Sequence, residues 1–409
     1  MPRILHTADW HLGRRLEGRG RHQEQVAVLE EICGIADQEQ VDVVLIAGDV
    51  FDSYVPPAEA EALFYKTMAR LADGARRAVV VIAGNHDSPD RLIASDPYAR
   101  ELGITTIGFP KDLPELYDAG RERVACVASG PSRVTLRLPR AAKPLTVLAL
   151  PYPSESRLRE VLTERLDDDV AAARDYSARI GEFMREAARG FHPEGVAVIA
   201  SHLFVQGGVE CESERQIQVG GAYSVDTNSF PTDAAYVALG HLHRPQEQRG
   251  LEDLPVRYSG SILQYSFSEA EQPKSVTIVD VDEKGATHRE VPLTAGRTLF
   301  RWHELESLAE LEARIEASDP LAWYSLSVRV DDLLSPEYVT KLREHRPGII
   351  NCIPRYTLAD ADVSDVVRLS ELSIEEQFRR YIERRYAQPV DDAVMRLFLE
   401  LSGRRGEEE

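Results

Sequence analysis

The chain has 409 residues, 43% hydrophobic and 28% charged, with 26 Gly and 23 Pro. At roughly 150 residues per domain this length predicts two or three domains, and the composition excludes collagen-like, disordered and coiled-coil classes for its bulk. Forty-eight Lys and Arg against 68 Asp and Glu give a net charge of −20, which disfavours a phosphate backbone as partner unless basic residues cluster locally or bound metal supplies positive charge.

The longest apolar runs, such as 78–83, are of strand length and far below the roughly 20 residues of a membrane helix. The N-terminus carries no secretory pattern. The four cysteines, Cys33, Cys126, Cys211 and Cys352, are scattered, and read as reduced thiols of a cytoplasmic protein.

Through residue 285 one pattern repeats: a short β-rich run ends in a polar residue able to bind metal. Run 4–8 leads to Asp9 and His11, 43–48 to Asp49, and 79–84 to Asn85, His86 and Asp87; run 196–201 leads to His202 and 236–240 to His241 and His243. Near-continuous apolar strands predict sheets covered on both faces. Helical stretches fall between them at 25–39, 57–73 and 164–189, while 123–140, 256–258 and 275–280 alternate as antiparallel strands do. The mixture predicts an α/β fold of two packed sheets flanked by helices.

Beyond residue 297 a compact alternation of strands (298–302, 323–330, 349–356) and helices (308–317, 336–344) predicts a small α+β domain. An acidic linker at 359–365 precedes two amphipathic helices. Ser373 and Glu376 form a capping box. Ile374, Phe378, Tyr381 and Ile382 share one helix face, Pro389 interrupts, and Val394, Leu397, Phe398 and Leu401 form a second stripe. Residues 404–409 are expected to fray. The predicted division is 1–285, 286–358, and a linker with a helical hairpin over 359–409.

Taken singly, each motif has a bland explanation. Gly48-Asp49 and 84–87 are turn-forming sequences, and a histidine after an apolar strand is usually a satisfied core residue. Five such strand ends in one chain, with His6, His11, His86, His202, His241 and His243 at or near them, tip the balance towards one shared site. In layered α/β domains ligands collect beyond the carboxyl ends of the strands. Carboxylate, imidazole and amide without thiolate suit manganese, iron or zinc.

Seven side chains, those of Asp9, His11, Asp49, Asn85, His202, His241 and His243, exceed the needs of one ion. They fit two ions about 3.5–4 Å apart that share Asp49 and activate a water between them. Two such ions against two carboxylates leave a charge of about +2, a trap for phosphate. His86, assigned to neither ion, is expected to act as the general acid. Asp52 and Asp87 are expected to fix histidine orientation.

These residues resemble the calcineurin-like metallophosphoesterase superfamily, whose motifs DxH, GDxx(D/H), GNHD, H and GHxH occur here in order as ADWHLG, GDVFD, GNHDSPDRL, SHLF and GHLHRPQ. Longer stretches, among them SHLFVQGGVECESER from Ser201 and RYSGSILQYSFSE from Arg257, resemble bacterial SbcD-type nuclease subunits. The resemblance implies a two-sheet metallophosphoesterase sandwich with a capping domain at 286–358. It implies Mn2+-dependent exonuclease and endonuclease action on DNA ends and hairpins, in DNA repair and recombination. It also implies a homodimer and a partner, an SbcC-type coiled-coil ATPase, on which the terminal helices would dock. The seven ligand positions and catalytic His86 carry over one by one. Relatives often have His where this chain has Asp52.

Arg14, Arg15, Arg19 and Arg21 offer a local positive strip for DNA phosphates, which answers part of the −20 objection. Two other functions stay open: a phosphoesterase acting on small molecules or phosphoproteins, and a non-catalytic scaffold of the same fold. A scaffold is expected to have lost ligands, and none of the seven is missing.

Overall fold

The computed structural model describes residues 1–158, 169–214, 223–249, 251, 253–330, 334–356, 373–386 and 390–403. The acidic linker at 359–365, Pro389, the terminal 404–409 and the side chain of Leu401 lie outside the described residues.

Two sheets form the body of the chain. The first has six strands in the order Gly285–Leu293, Lys274–Asp282, Arg3–Thr7, Val43–Ala47, Ala78–Ile82 and Ile104–Ile107. Its last four strands run parallel, and the first two are antiparallel additions. The second has eight strands, with Leu145–Leu150, Val196–His202, Val237–Gly240 and Val256–Tyr258 parallel at its centre.

Alternation along each strand explains why the runs read as continuously apolar. Val43, Leu45 and Ala47 face a core between the sheets, shared with Val147, Ala149, Val198 and Ala238. Val44 and Ile46 face the opposite way, into a core under helices His22–Gln38 and Ala58–Ala72 with Leu29, Ile32, Phe64 and Leu71. A third core, with Leu148, Ile199 and Leu239, covers the outer face of the second sheet beneath helix Asp169–Ala188. Each strand residue therefore meets apolar neighbours on whichever face it points to.

One boundary moves. Strand Gly285–Leu293 pairs with Lys274–Asp282 along its whole length, from Asp282↔Gly285 to Lys274↔Leu293. The first sheet thus extends to Leu293 rather than stopping at 285. An edge strand with one wet face has no apolar run to mark it.

Contact clustering divides the chain into two compact units. One comprises Met1–Trp302, Ser318–Leu326 and Arg343–Asn351; the other comprises His303–Ala317, Ser327–Leu342 and Cys352–Glu409. Strands Leu299–Leu305, Trp323–Val330 and Ile349–Tyr356 form a three-stranded sheet. In the second unit Ser373 Oγ accepts from the Glu376 amide at 3.3 Å, as the capping box requires. Helices Ile374–Tyr386 and Asp392–Gly403 are joined by stacked Phe378 and Phe398 rings, 3.8 Å between centroids. Ile374, Tyr381, Val394 and Leu397 are left exposed. Among the described residues no helix is long and apolar enough to cross a membrane, and no disulfide joins any of the four cysteines.

One buried histidine belongs to the framework. His6, on Arg3–Thr7, lies between Tyr236 Oη at 3.0 Å and the Leu239 carbonyl at 3.1 Å. Its Nε2–H donates to that carbonyl, so Nδ1 accepts from the tyrosine. Burial holds its imidazole down to about 3. An unfolded chain protonates the same ring near pH 6.5, so stability falls as pH drops from there towards 3.

At about 1.4 kcal/mol per pH unit, the expected loss from His6 between pH 7 and pH 5 is about 2 kcal/mol. Denaturant unfolding of His6→Gln should show an acid loss smaller by that amount. An unchanged slope would place the sensitivity elsewhere.

Candidate metal centre

The five chemistry-bearing strand ends meet at one edge of the two-sheet body. Asp9 and His11 follow Arg3–Thr7, Asp49 follows Val43–Ala47, and Asn85 and His86 follow Ala78–Ile82. From the second sheet come His202, at the end of Val196–His202, and His241 and His243 beyond Val237–Gly240. All of them except His86 are buried.

Three overlapping groups have ligand atoms within 4.8 Å of one another: Asp9, His11 and His243; His11, Asp49 and His86; and Asp9, Asp49 and His202. Asp49 joins the second group to the third, as His11 joins the first to the second and Asp9 the first to the third. His86 stands inside the cluster rather than beside it. Asn85 Oδ1 lies 2.9 Å from His202 Nε2. His241 joins none of the three groups; its amide donates to both Asp9 oxygens at 3.0 and 3.1 Å, and its ring centroid lies 5.4 Å from that of His202.

The donor set fits divalent cations. His202 Nδ1 lies 2.9 Å from the Ala47 carbonyl and must donate to it. Its Nε2 is then a bare lone pair, facing Asn85 Oδ1 and, at 3.6 Å, Asp49 Oδ2. His11 Nε2 and His243 Nε2 face each other at 3.0 Å, and among the described residues His11 Nδ1 has no hydrogen-bond partner. Asp52 Oδ1 stands 3.4 Å from that nitrogen.

Lone pairs aimed at lone pairs in a buried site are costly unless a cation lies between them. Burial holds the His11 imidazole down to about 3, and lowers those of His202, His241 and His243. The rings are therefore neutral, as ligation requires. Burial, then the Asp49 carboxylate, pushes Asp9 well up; a positive charge there would relieve both effects.

The backbone is bent to bring these groups together. Asp9, His11, Asp49 and His241 have φ of 52°, 44°, 49° and 114°, each a cost of about 1–3 kcal/mol. Amides of Asp9 and His11 donate to the carbonyls of Gly48 and Asp49, both at 3.0 Å, tying the first two loops into a ladder. The glycines before the ligands let backbones touch. A Cβ on Gly84 would stand 2.1 Å from Asp49 Oδ1, and one on Gly240 would stand 1.9 Å from the Ala47 carbonyl oxygen. Gly240→Ala is accordingly expected to cost about 3 kcal/mol, read as a lowered Tm with loss of retained metal. A variant as stable as its parent would contradict this packing.

The two supporting acidic residues hold different parts of the site. Among the described residues the Asp87 carboxylate bonds to no histidine side chain. It accepts from the amides of Val50 at 3.1 Å, Phe51 at 2.9 Å and Gly84 at 2.8 Å, so it binds the Asp49 loop to the Asn85 loop. Asp52 positions His86 through its main-chain oxygen, 2.8 Å from His86 Nδ1, while its side chain lies near His11 and Arg14.

The arginine strip also shrinks. Arg21 is 2% exposed, with its guanidinium on both Glu24 oxygens and on the Gln264 carbonyl, so it offers nothing to a phosphate. Arg14 is committed to the Ser213 carbonyl at 2.6 Å and to Asp52 at 3.3 Å. Arg15 and Arg19 remain exposed.

Sequence reasoning missed Arg157. It is buried and donates to the carbonyls of Gly84 at 2.6 Å and Asp87 at 2.8 Å, clasping both ends of the turn that carries Asn85 and His86. A partner 73 positions away in sequence leaves no local pattern, and an arginine near a helix start reads as surface. Lys274 and Glu269, a buried pair 2.5 Å apart behind His243, were missed for the same reason.

The chain belongs to the calcineurin-like phosphoesterase family, whose model matches residues 2–245. It is a hydrolase of phosphate esters. Along its full length it is similar to the D subunit of the SbcCD nuclease of Bacillus subtilis (strain 168), with 43% identity over 411 residues that cover 100% of this chain and 99% of that protein. The proteins of the same name from Rhodobacter capsulatus and Escherichia coli (strain K12) are 37% and 28% identical. They match over 78% and 92% of this chain, and over 76% and 92% of their own lengths.

Proposed function

We propose that the chain is a metal-dependent DNA nuclease, acting as an exonuclease on double-stranded ends and an endonuclease on single strands and hairpins. It would act in DNA repair and recombination with an SbcC-type coiled-coil ATPase. The observation that carries this reading is the set of three overlapping carboxylate and imidazole groups, two of them joined by Asp49. The full-length likeness to a nuclease component supports DNA over a small ester as substrate.

Asp9, His11, Asp49, Asn85, His202, His241 and His243 would hold two divalent ions, Mn2+ first among the candidates. Bound there, such ions supply Lewis-acid charge for a phosphate and a nucleophile active at neutral pH. The chain's own residues orient and deliver. His86 donates Nδ1–H to the Asp52 carbonyl, and its amide donates to Asp49 Oδ1 at 2.8 Å. The ring is thereby fixed with Nε2 free, and that atom holds the proton that the departing oxygen takes as its bond to phosphorus breaks. Arg157 and Asp87 keep the turn that bears His86 in register with Asp49.

Arg15 and Arg19 are the DNA-contacting cations in this proposal. The cap is assigned to 286–358, its working part after Leu293. The ATPase docks on the exposed Ile374, Tyr381, Val394 and Leu397, and a second copy of the chain completes a homodimer. Free cysteines and a DNA substrate fit the cytoplasm.

With Mn2+, the full chain should degrade linear duplex DNA, and EDTA should stop it. Turnover of a small nitrophenyl phosphodiester with DNA left intact would favour a small-molecule phosphoesterase instead. Deleting 366–409 should remove ATPase association and spare the small diester. Retained association would reject the docking assignment.

A further inference from the structure

The stretch that begins at Ser201 carries Cys211, Glu212, Ser213 and Glu214 near its end. Ser213 is 5% exposed, and its Oγ lies 2.7 Å from Nδ1 of His243. The segment is held at both ends. Arg14 donates to the Ser213 carbonyl at 2.6 Å, and Glu214 accepts from the His243 amide at 2.6 Å and from the Cys211 amide. On its other side the His243 carbonyl accepts from Lys274 Nζ at 2.8 Å and from the Ser261 amide at 3.1 Å. His243 is thus fixed through its amide, its carbonyl and one ring nitrogen. The remaining nitrogen, Nε2, faces His11 Nε2 at 3.0 Å.

We infer that Ser213 is a positioning residue that selects the Nδ1–H tautomer of His243 and so presents the Nε2 lone pair to the ion held with Asp9 and His11. The inference rests on the metal-centre reading above and deepens it. A neutral imidazole carries one proton, and its position is set by the better acceptor. At Nε2 the competing acceptor is already in place, 3.0 Å away on His11. With the Ser213 hydroxyl present, Nδ1–H donates to Oγ and Nε2 stays bare. Without it, the acceptor nearest to Nδ1 is Glu269 Oε1, 3.8 Å off and beyond hydrogen-bond reach. The proton then moves to Nε2, bonds to His11 and blocks the ligand position. The hydroxyl acts through His243 and touches no reacting atom.

The test is 15N NMR of the full chain labelled at histidine, with His243 assigned by its loss in His243→Gln. In the metal-free wild-type protein the inference requires His243 to be Nδ1–H; an Nε2–H ring overturns it without recourse to any variant. Ser213→Ala should shift the ring to Nε2–H, and Ser213→Thr, which keeps the hydroxyl, should restore Nδ1–H. Calorimetric Mn2+ titration should then show one of two sites weakened by about 10–100-fold in Ser213→Ala and the other unchanged. An unchanged tautomer in Ser213→Ala, or both affinities within about twofold of wild type, overturns the inference. A wild-type chain that binds no Mn2+ would sink the metal-centre reading instead, while the tautomers would still judge Ser213.

Discussion

Asp49→Asn is expected to abolish metal-dependent cleavage while leaving the metal-free protein as stable as its parent or more so. The carboxylate is the junction of the candidate centre. Oδ1 accepts the His86 amide at 2.8 Å, and Oδ2 lies 3.6 Å from both His11 Nε2 and His202 Nε2. An asparagine keeps the first contact through its own oxygen. In place of Oδ2 it puts an NH2 group, a donor for the two imidazole lone pairs and a repellent for a cation.

The exchange also removes a negative charge buried beside Asp9, whose carboxyl is pushed up by burial and then by Asp49. Metal-free and metal-bound stability should therefore respond in opposite directions. Wild type should gain about 2.7 kcal/mol at a metal concentration of about 100 Kd, and Asp49→Asn should gain little. Thermal unfolding with and without Mn2+ reads both. Equal stabilisation of the two proteins would remove Asp49 from the centre.

His86→Ala is expected to separate binding from chemistry in the other direction. The ring is half-buried at the edge of the cluster, with Nδ1 committed to the Asp52 carbonyl. Nε2 is then the proton carrier, and losing it should lower cleavage by roughly 10²–10⁴-fold. Both ions should remain, because the seven assigned ligands do not include this ring. A substrate whose leaving group needs no proton, such as nitrophenolate, should be affected far less than DNA. Because His86 also falls in a group with His11 and Asp49, the outcome decides between two roles. Loss of an ion along with activity would make it a ligand.

The seven candidate ligand positions could be read from the sequence because a strand buried on both faces is a run of apolar residues, and the first polar residue after it must lie at the sheet's edge. Asp9, Asp49, Asn85 and His202 are all visible in that way. Their glycines were visible as motif letters, but the reason for them was not. Gly84 and Gly240 are glycine because Asp49 and the Ala47 carbonyl pass too close for a Cβ, a contact between loops that no single segment encodes.

The same limit hid Arg157, Ser213 and Lys274, whose partners lie 73, 30 and 31 positions away. Charge alone made Arg21 look like a surface cation. Glu24, one helical turn on, accepts from its Nε and Nη2, and only the fold reveals that the pair is buried. The strand Gly285–Leu293 escaped because an edge strand alternates in burial and carries charge on its wet face.

This buried nest of carboxylate, amide and imidazole groups is expected to hold two cations. Equilibrium dialysis of the full chain against Mn2+, followed by elemental analysis, measures it directly. Two ions per chain are expected in the wild-type protein. Fewer than one per chain, at saturating metal, would contradict the claim.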